Sequence, residues 1–269
     1  MKTASYHNHT TFSDGAQTPE EYLVAARAQG IDILGFADHY YRDCPYPIVM
    51  PDWALKRQDE ASYFNTLQTL ASETKDVEIR IGLEFDWLDD NTQVIAPMVQ
   101  DPRLDYTIRS IHYVGNKSID LSAIYWRTKS QDEVNEIICR YWHNVARMAE
   151  TSLFDIAGHL DLYKKFNAKA TCDLSREISD ALDAIKAANM VVELNTSGWH
   201  KDCRECYPTE ALLQACFKRE IPVTVSADAH RAELASTYFS CAYDILARVG
   251  YKSLARFRQR ERFFEPLSV

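Results

Sequence analysis

Seven short apolar runs alternate with helix-like segments along the chain of 269 residues, and this alternation limits the fold more than any other feature. The runs are residues 4–9, 32–39, 78–85, 106–113, 154–160, 190–198 and 222–230. Each is short enough to be a strand buried on both faces. Strands that alternate with helices predict parallel βα units. Seven units closing on themselves would form a smaller relative of the eight-stranded barrel.

An open, doubly wound sheet is the alternative architecture. No glycine-rich phosphate fingerprint follows the first run, which weakens that alternative. The intervening segments carry clear helix signals. Thr18, Pro19 and Glu21 predict a capped helix that ends at Gly30. Ser130 with Glu133 predicts a second capping box, at the start of a long helix.

No linker or low-complexity segment divides the sequence, so residues 1–269 are expected to form one domain. The stretch 41–58 is rich in proline and predicts an irregular loop over one face, where it would cover a site.

The net charge of −9 argues against a broad nucleic-acid surface and against binding to anionic membranes. No apolar run approaches the roughly 20 residues that span a bilayer, and no signal-peptide core is visible, so a cytoplasmic protein is expected. The seven cysteines are scattered and do not suggest disulfides. Cys203 and Cys206 alone have the spacing of metal ligands, and one such pair is weak evidence for zinc.

Polar side chains follow every apolar run. They are His7 and His9; Asp38 and His39; Glu84; His112; His159; Glu193 and Asn195; and Asp228 and His230. In a parallel barrel the carboxyl ends of the strands meet on one face, which holds the active site. Residues i and i+2 of a strand share a face, so His7 and His9 would lie together, as would Asp228 and His230. A divalent metal binds neutral imidazoles held this close.

A single histidine at a strand end is more often a hydrogen-bonded structural residue than a metal ligand. That explanation would have to hold separately at each of these positions, which argues for a shared site. His143 lies inside a helix and is expected at the surface or in packing. His200 follows the sixth run and would reach the site only from a loop.

The motifs "HNHTTFSDG", "ADH", "GLEFD", "SIHY", "GHLDL", "ELNTSG" and "SADAH", in this order, resemble the polymerase-and-histidinol-phosphatase (PHP) superfamily over nearly the whole chain. "DYTIRSIHYV", "FDIAGHLDLYKKF" and "VVELNTSG" are most similar to its histidinol-phosphatase branch. The resemblance implies an α/β fold, a distorted (β/α)7 TIM-like barrel, with the metal site at the C-terminal ends of its strands. It also implies three divalent metal ions. Imidazole and carboxylate donors suit zinc, iron or manganese.

Carried over position by position, the resemblance implies three ligand sets. The first is His7, His9, Glu84 and Asp228; the second is Glu84, His112 and His159; the third is Asp14, His39 and His230. Asp38 and Glu193 would contact the ligands without binding a metal themselves. Asp228, His230 and Glu84 are also predicted as catalytic residues. The leaving alkoxide would be stabilised by a metal or protonated by a metal-bound water, with Asp228 and His200 as weaker candidates.

Charge favours a phosphate monoester as the substrate. Three divalent ions, the carboxylates of Asp14, Glu84 and Asp228, and a bridging hydroxide leave a net charge of roughly +2, which balances a phosphate dianion better than a neutral amide. The hydroxide would attack phosphorus in line. Arg109, His200 and Arg231 are predicted substrate contacts, and Lys164 and Lys165 are further candidates.

The sequence therefore predicts a phosphoric monoester hydrolase that converts L-histidinol phosphate to L-histidinol in histidine biosynthesis. The alternatives are another small phosphoester, such as a nucleotide or sugar phosphate, and phosphotyrosine. A metal-dependent amidohydrolase fits less well because no lysine stands at a strand end. A metal-storage protein and a polymerase-associated exonuclease fit less well still. The expected partner is a small phosphorylated molecule, and the oligomeric state is left open.

Overall fold

The computed structural model of the protein describes residues 1–42, 53–88 and 91–268. The strands of this part are β1 (Ala4–Ser5), β2 (Ile33–Phe36), β3 (His39–Tyr40), β4 (Glu78–Ile81), β5 (Glu84–Asp86), β6 (Ile108–Ser110), β7 (Tyr113–Val114), β8 (Lys117–Ser118), β9 (Ile156–Ala157), β10 (Val191–Asn195), β11 (Val223–Ser226), β12 (Ser253–Arg258) and β13 (Glu261–Pro266). Each of the seven predicted runs contains a strand, and the second, third and fourth runs each overlap two.

The seven runs close into a parallel barrel in sequence order. β1, β2 and β4 pair in parallel, and β3, β5, β6, β9, β10 and β11 continue the series. The last run meets the first at a parallel bridge between Asn8 and Ala229. There the His9 amide donates to the Ala229 carbonyl over 2.9 Å, and the Ala229 amide donates to the His7 carbonyl over 3.0 Å. The predicted distorted barrel is confirmed, and the open sheet is wrong.

Helices cover the outside of the barrel. They are α1 (Pro19–Gln29), α2 (Glu60–Glu73), α3 (Thr92–Val99), α4 (Ala123–Arg127), α5 (Gln131–Glu150), α6 (Ser175–Ala187), α7 (Glu210–Lys218) and α8 (Phe239–Val249). Short 3-10 helices span Arg57–Asp59, Leu162–Phe166, Ser197–His200 and Ala232–Leu234. Both predicted capping boxes are present, at Thr18 and at Ser130, and Gly30 ends α1 with a φ of 67°. His143 is exposed on α5, as expected.

Tyr106 fills the middle of the barrel. Its hydroxyl donates to the carbonyls of Phe36, over 2.8 Å, and of Tyr6. Gly82 lies where a side chain would collide with this ring, because a Cβ there would approach Tyr106 Cζ to 2.5 Å. Gly82 also lies between β4 and β5, so the third run bends around the tyrosine before it delivers Glu84 to the carboxyl end.

The antiparallel hairpin β12–β13 was not predicted. It brings Phe257 against the rings of Tyr6 and Tyr106, with centroids 6.0 and 6.4 Å away. The Phe257 amide donates to the Tyr6 hydroxyl over 3.0 Å. The hairpin therefore packs on the interior of the barrel, on the side away from the histidines.

Of the predicted 41–58 loop, residues 43–52 lie outside the described residues. In the described part of the chain, no helix has both the length and the apolar character needed to cross a membrane.

Candidate metal centre

Eight of the nine predicted ligands lie at or just after a barrel strand, and Asp14 reaches the same place from the loop that follows the first run. His39 and Glu84 pair as neighbours at the first positions of β3 and β5. The regular i, i+2 geometry expected for Asp228 and His230 is wrong, because β11 ends at Ser226 and Asp228 has a φ of 49°. The two side chains still meet, with 3.7 Å between His230 Nδ1 and Asp228 Oδ1.

The first group joins His7, His9 and Glu84, whose ligand atoms all lie within 4.8 Å of one another. His7 Nε2 is 3.4 Å from Glu84 Oε2. Asp228 Oδ1 lies 3.1 Å from His9 Nε2 and 3.8 Å from His7 Nε2. These four residues are the first predicted ligand set, and the fold brings them together.

The second group joins Glu84, His112 and His159 within the same 4.8 Å limit. Glu84 Oε1 is 2.9 Å from His159 Nε2 and 3.8 Å from His112 Nε2. Because Oε2 faces His7 while Oε1 faces His159, the two oxygens of Glu84 serve two different groups. This is the arrangement that a bridging carboxylate requires.

The third group joins His9, Asp14, His39 and His230. Asp14 Oδ2 is 3.3 Å from His230 Nε2 and 3.8 Å from His39 Nε2. His9 was predicted only for the first set, yet its Nδ1 faces Asp14 at 3.9 Å while its Nε2 faces Asp228. Its ring thus lies between the two groups.

Divalent cations fit these residues. Among the described residues, two fully buried imidazole nitrogens of the cluster have no hydrogen-bond partner: His7 Nε2 and His9 Nδ1. Buried polar atoms are rarely left unsatisfied, since each costs about 1–3 kcal/mol. Imidazole nitrogens with carboxylate oxygens are the donors preferred by zinc and similar ions. Cations placed among them would satisfy these atoms.

The histidine rings of the cluster differ in pKa. Burial, together with the neighbouring His230 and His39, lowers the pKa of His9 to about 3, so this ring is neutral at pH 7. Burial also opposes charge on His39, but the Glu84 and Asp14 carboxylates outweigh it and raise the pKa of His39 to about 9. Asp86 and Glu84 likewise outweigh burial and raise the pKa of His112 to about 10. Without cations, protons therefore balance the carboxylates.

Glu193 and Asp38 lie behind the cluster, where they were predicted. Glu193 Oε1 is 2.8 Å from His7 Nδ1, and its Oε2 accepts from the His159 amide over 2.8 Å. Asp38 instead accepts from the Thr10 amide, over 2.8 Å, and from the Ser13 hydroxyl, over 2.6 Å. Glu193 thus orients the His7 ring and holds the backbone at His159, whereas Asp38 fixes the loop that leads to Asp14.

Asp86 is a further member of the site that the sequence analysis missed. Its Oδ1 is 2.5 Å from His112 Nδ1, and its ligand atom groups with those of His39 and His112. It stands two residues after Glu84 on β5, within the quoted motif "GLEFD", so strand alternation was the available signal. Asp86 holds the His112 ring so that Nε2 turns toward Glu84.

A cavity of about 530 Å³ opens above the cluster and is lined by Asp14, His39, His112, His159, Asp228 and His230. His200 and Arg231 also line it, as predicted for substrate contacts. Arg231 is 65% exposed in its side chain and pairs with Glu233. Trp53 adds an aromatic wall, with its ring 4.8 Å from that of His39.

The structure does not bring Arg109 to the cavity. Its side chain is fully buried, its Nη2 donates to Asn91 Oδ1 over 2.6 Å, and its guanidinium lies 4.7 Å from the Phe154 ring centre. Alternation along β6 turns it away from the face that holds His112. Among the described residues, Cys203 and Cys206 belong to no group that could hold a metal.

A closed parallel barrel with imidazoles and carboxylates clustered at the carboxyl ends of its strands defines a barrel protein with a candidate divalent-metal site at that end. The chain belongs to the PHP domain family, whose profile matches residues 5–197. The predicted family is confirmed.

Relatives match nearly the full length. A protein of Deinococcus radiodurans named "Probable histidinol-phosphatase" is 29% identical over 261 residues, covering 95% of this chain and 96% of the relative. Another of the same name, from Schizosaccharomyces pombe, is 25% identical and covers 87% of this chain and 82% of the relative. The crystal structure of histidinol phosphate phosphatase from Lactococcus lactis, complexed with zinc, L-histidinol and phosphate, is 21% identical with a TM-score of 0.79. That match covers 97% of this chain and 99% of the other.

Proposed function

We propose that this protein is a metal-dependent phosphoric monoester hydrolase that converts L-histidinol phosphate to L-histidinol and phosphate in histidine biosynthesis, with residues 1–269 acting as one domain. The observation that carries the proposal is the convergence of three ligand groups, joined through Glu84 and His9, on the floor of one cavity. The names of the relatives from Deinococcus and Schizosaccharomyces and the ligands of the Lactococcus enzyme support the choice of substrate. The predicted cytoplasmic location stays a prediction.

Three divalent ions are part of the proposal, one for each group. Zinc is supported by the Lactococcus structure, and iron and manganese accept the same donors. When bound, such ions supply positive charge to the phosphate and a reactive water at neutral pH. Their holders would be His7, His9, Glu84 and Asp228; Glu84, His112 and His159; and Asp14, His39 and His230.

Residues of the chain itself would accept and donate protons during the reaction. In hydrolysis a water oxygen bonds to phosphorus and loses a proton, the bond between phosphorus and the hydroxymethyl oxygen breaks, and the departing oxygen takes up a proton. Burial opposes charge on Asp228, but His7 and the other nearby imidazoles outweigh it and hold its pKa well below the usual range. Asp228 is therefore a carboxylate at neutral pH, which suits a ligand or a proton acceptor. Among the chain's own residues, His200 on the cavity wall is the candidate to supply the proton.

The test is phosphate release from a panel of monoesters after metal reconstitution, with L-histidinol phosphate, a nucleotide, a sugar phosphate and phosphotyrosine compared by kcat/KM. We expect L-histidinol phosphate to be preferred. A nucleotide or sugar phosphate that is turned over faster would replace the proposed substrate.

The ligand assignment is tested with His9→Ala, and His143→Ala on the exposed face of α5 is its control. The loss of a supporting residue behind a metal ligand costs about 10–100-fold, so the loss of His9 itself should lower kcat/KM by more than about 100-fold. Circular dichroism should show that both variants are folded. Full activity and unchanged metal content in His9→Ala would contradict the assignment.

A further inference from the structure

An ion pair lies on the wall of the cavity, outside the candidate metal centre. Lys165 Nζ donates to Asp120 Oδ2 over 3.1 Å, and both residues line the cavity. Their side chains are 20% and 23% exposed, so the charged ends meet the cavity while the rest is covered. A ligand can therefore reach both charges.

The fold fixes this pair beside the ligands. Asp120 follows the hairpin β7–β8, where the Ser118 hydroxyl donates to Asp120 Oδ1 over 2.9 Å and the Ile119 amide donates to the His112 carbonyl over 2.9 Å. Lys165 lies in the 3-10 helix that follows His159. The hairpin that follows His112 and the 3-10 helix that follows His159 thus place opposite charges on the same wall.

The adjacent lysine has a different environment. Lys164 is buried, and it donates to Asp161 over 3.1 Å and to the Cys206 carbonyl over 2.7 Å. This anchor fixes the short helix, so that consecutive lysines face opposite sides and Lys165 alone faces the cavity. Lys164 is thus excluded as a substrate contact, whereas Lys165 is available.

Outside the predicted ligand sets, the cavity wall carries several cationic or titratable groups but one carboxylate among the described residues. Cationic or titratable groups on the wall are Lys165, His200, Lys201 and Arg231. Among the described lining residues outside the predicted ligand sets, Asp120 is the sole carboxylate. A phosphate ester needs no carboxylate on the wall, and like charge would repel it. A carboxylate at this place is useful when the substrate also carries a cation.

We propose that Asp120 selects phosphate monoesters that carry a primary ammonium group, and that the ammonium replaces Lys165 on this carboxylate. This inference rests on the proposed function and deepens it. The exchange keeps Asp120 paired, which avoids leaving a desolvated charge without a partner. The released Lys165 then adds its charge to the side of the cavity that faces the phosphate. Esters without an ammonium group cannot make the exchange.

The test compares the metal-loaded enzyme and its variants on two matched pairs of substrates. One pair is L-histidinol phosphate and its analogue without the amino group; the other is phosphoethanolamine and ethyl phosphate. We expect the ratio of kcat/KM within each pair to favour the amine in the wild type. Asp120→Asn should lower this ratio at least tenfold, mainly through a higher KM for the amine.

Lys165→Met distinguishes the role of Lys165 from that of Asp120. It should keep the preference for the amine, because Asp120 remains, while kcat/KM falls for both members of each pair. Asp180→Asn, on the exposed face of α6, is the control for loss of a carboxylate and should change neither value. An unchanged ratio in Asp120→Asn, or an equal fall for amine and analogue, would overturn the inference.

The two proposals fail differently. If the wild type turned over phosphoethanolamine better than ethyl phosphate but showed no activity on L-histidinol phosphate, the proposed function would fail and the inference would stand. If L-histidinol phosphate and its analogue without the amino group were equal substrates, the inference would fail and the phosphatase would stand.

Discussion

Glu84 is the residue on which the geometry of the centre depends. It is fully buried, and its two oxygens face different groups. Five histidines have a ring nitrogen within 4 Å of one of these oxygens: His7, His9, His39, His112 and His159. Burial alone would disfavour its charge, yet the surrounding imidazoles hold its pKa well below the usual range. A carboxylate in this position attracts cations, whether protons or metal ions.

Glu193→Gln tests the support behind the rings. The substitution keeps the shape of the side chain but removes the charge that orients His7, so metal affinity or kcat/KM should fall by about 10–100-fold. Metal content and initial rates measure the effect. Glu261→Gln, on the exposed β13, is the control. A Glu193→Gln protein with wild-type metal content and rate would show that His7 needs no such partner.

Metal binding should release protons. The pKa of His39 is raised to about 9 and that of His112 to about 10, so both rings are protonated at pH 7.5 in the metal-free protein. A metal ion must displace those protons, and its affinity should therefore fall as the pH is lowered. Calorimetric titration with zinc in buffers of different ionisation enthalpy measures the protons released. Heats that do not depend on the buffer would contradict the prediction.

At the scale of elements, the broken third strand shows how packing delivers a ligand. Between β4 and β5, the Gly82 carbonyl accepts from the Tyr63 hydroxyl over 2.7 Å, and the Tyr106 ring covers the glycine. Two residues later the chain reaches Glu84. The position of the central carboxylate therefore depends on a contact in the middle of the barrel.

Gly82→Ala should lower both stability and activity. The new Cβ would overlap Tyr106, and overpacking of this kind costs about 1–3 kcal/mol of the free energy of unfolding. Displacement of β5 should also weaken metal binding. Gly30→Ala is the control, because its cost of about 1–2 kcal/mol comes from a left-handed φ far from the site. Urea unfolding measures the stability and kcat/KM measures the activity. Equal activity in the two variants would show that the contact between Gly82 and Tyr106 does not position the metal ligands.

At the scale of the whole molecule, the barrel is open to substrate at one end and packed against a hairpin at the other. The interior cluster includes Ala4, Tyr6, Ile33, Tyr106, Ile108 and Phe257. Phe257 joins the last hairpin to residues from the first and fourth runs. Strand β12 is thus part of the core that holds the strands in register.

Phe257→Ala should cost about 3–5 kcal/mol in the free energy of unfolding, since it leaves a cavity among fully buried rings. Phe264→Ala, at a side chain that is 54% exposed on β13, should stay within about 0.5 kcal/mol of the wild type. Equilibrium urea denaturation measures both. Similar losses for the two variants would mean that the hairpin stabilises the protein through its strands rather than through this ring.

The sequence by itself determined the seven runs that contain the barrel strands, the capped helices and the candidate ligands at the ends of these runs. These features are local: apolar runs, capping residues and the position of a polar side chain after a run can all be read from neighbouring residues. The order of the motifs added the family. Nothing beyond neighbouring residues was needed to place His7, Glu84 or His230 among the candidates.

Tertiary structure alone decided which side chains face which. Closure of the barrel placed His9 between two groups, turned Arg109 into the core and Lys165 toward the cavity, and brought Asp86 against His112. The hairpin β12–β13 is likewise defined by its packing on Tyr6 and Tyr106, at positions more than a hundred residues away. The physical reason is that distances across a barrel depend on strand register and twist, which are set by all the strands together.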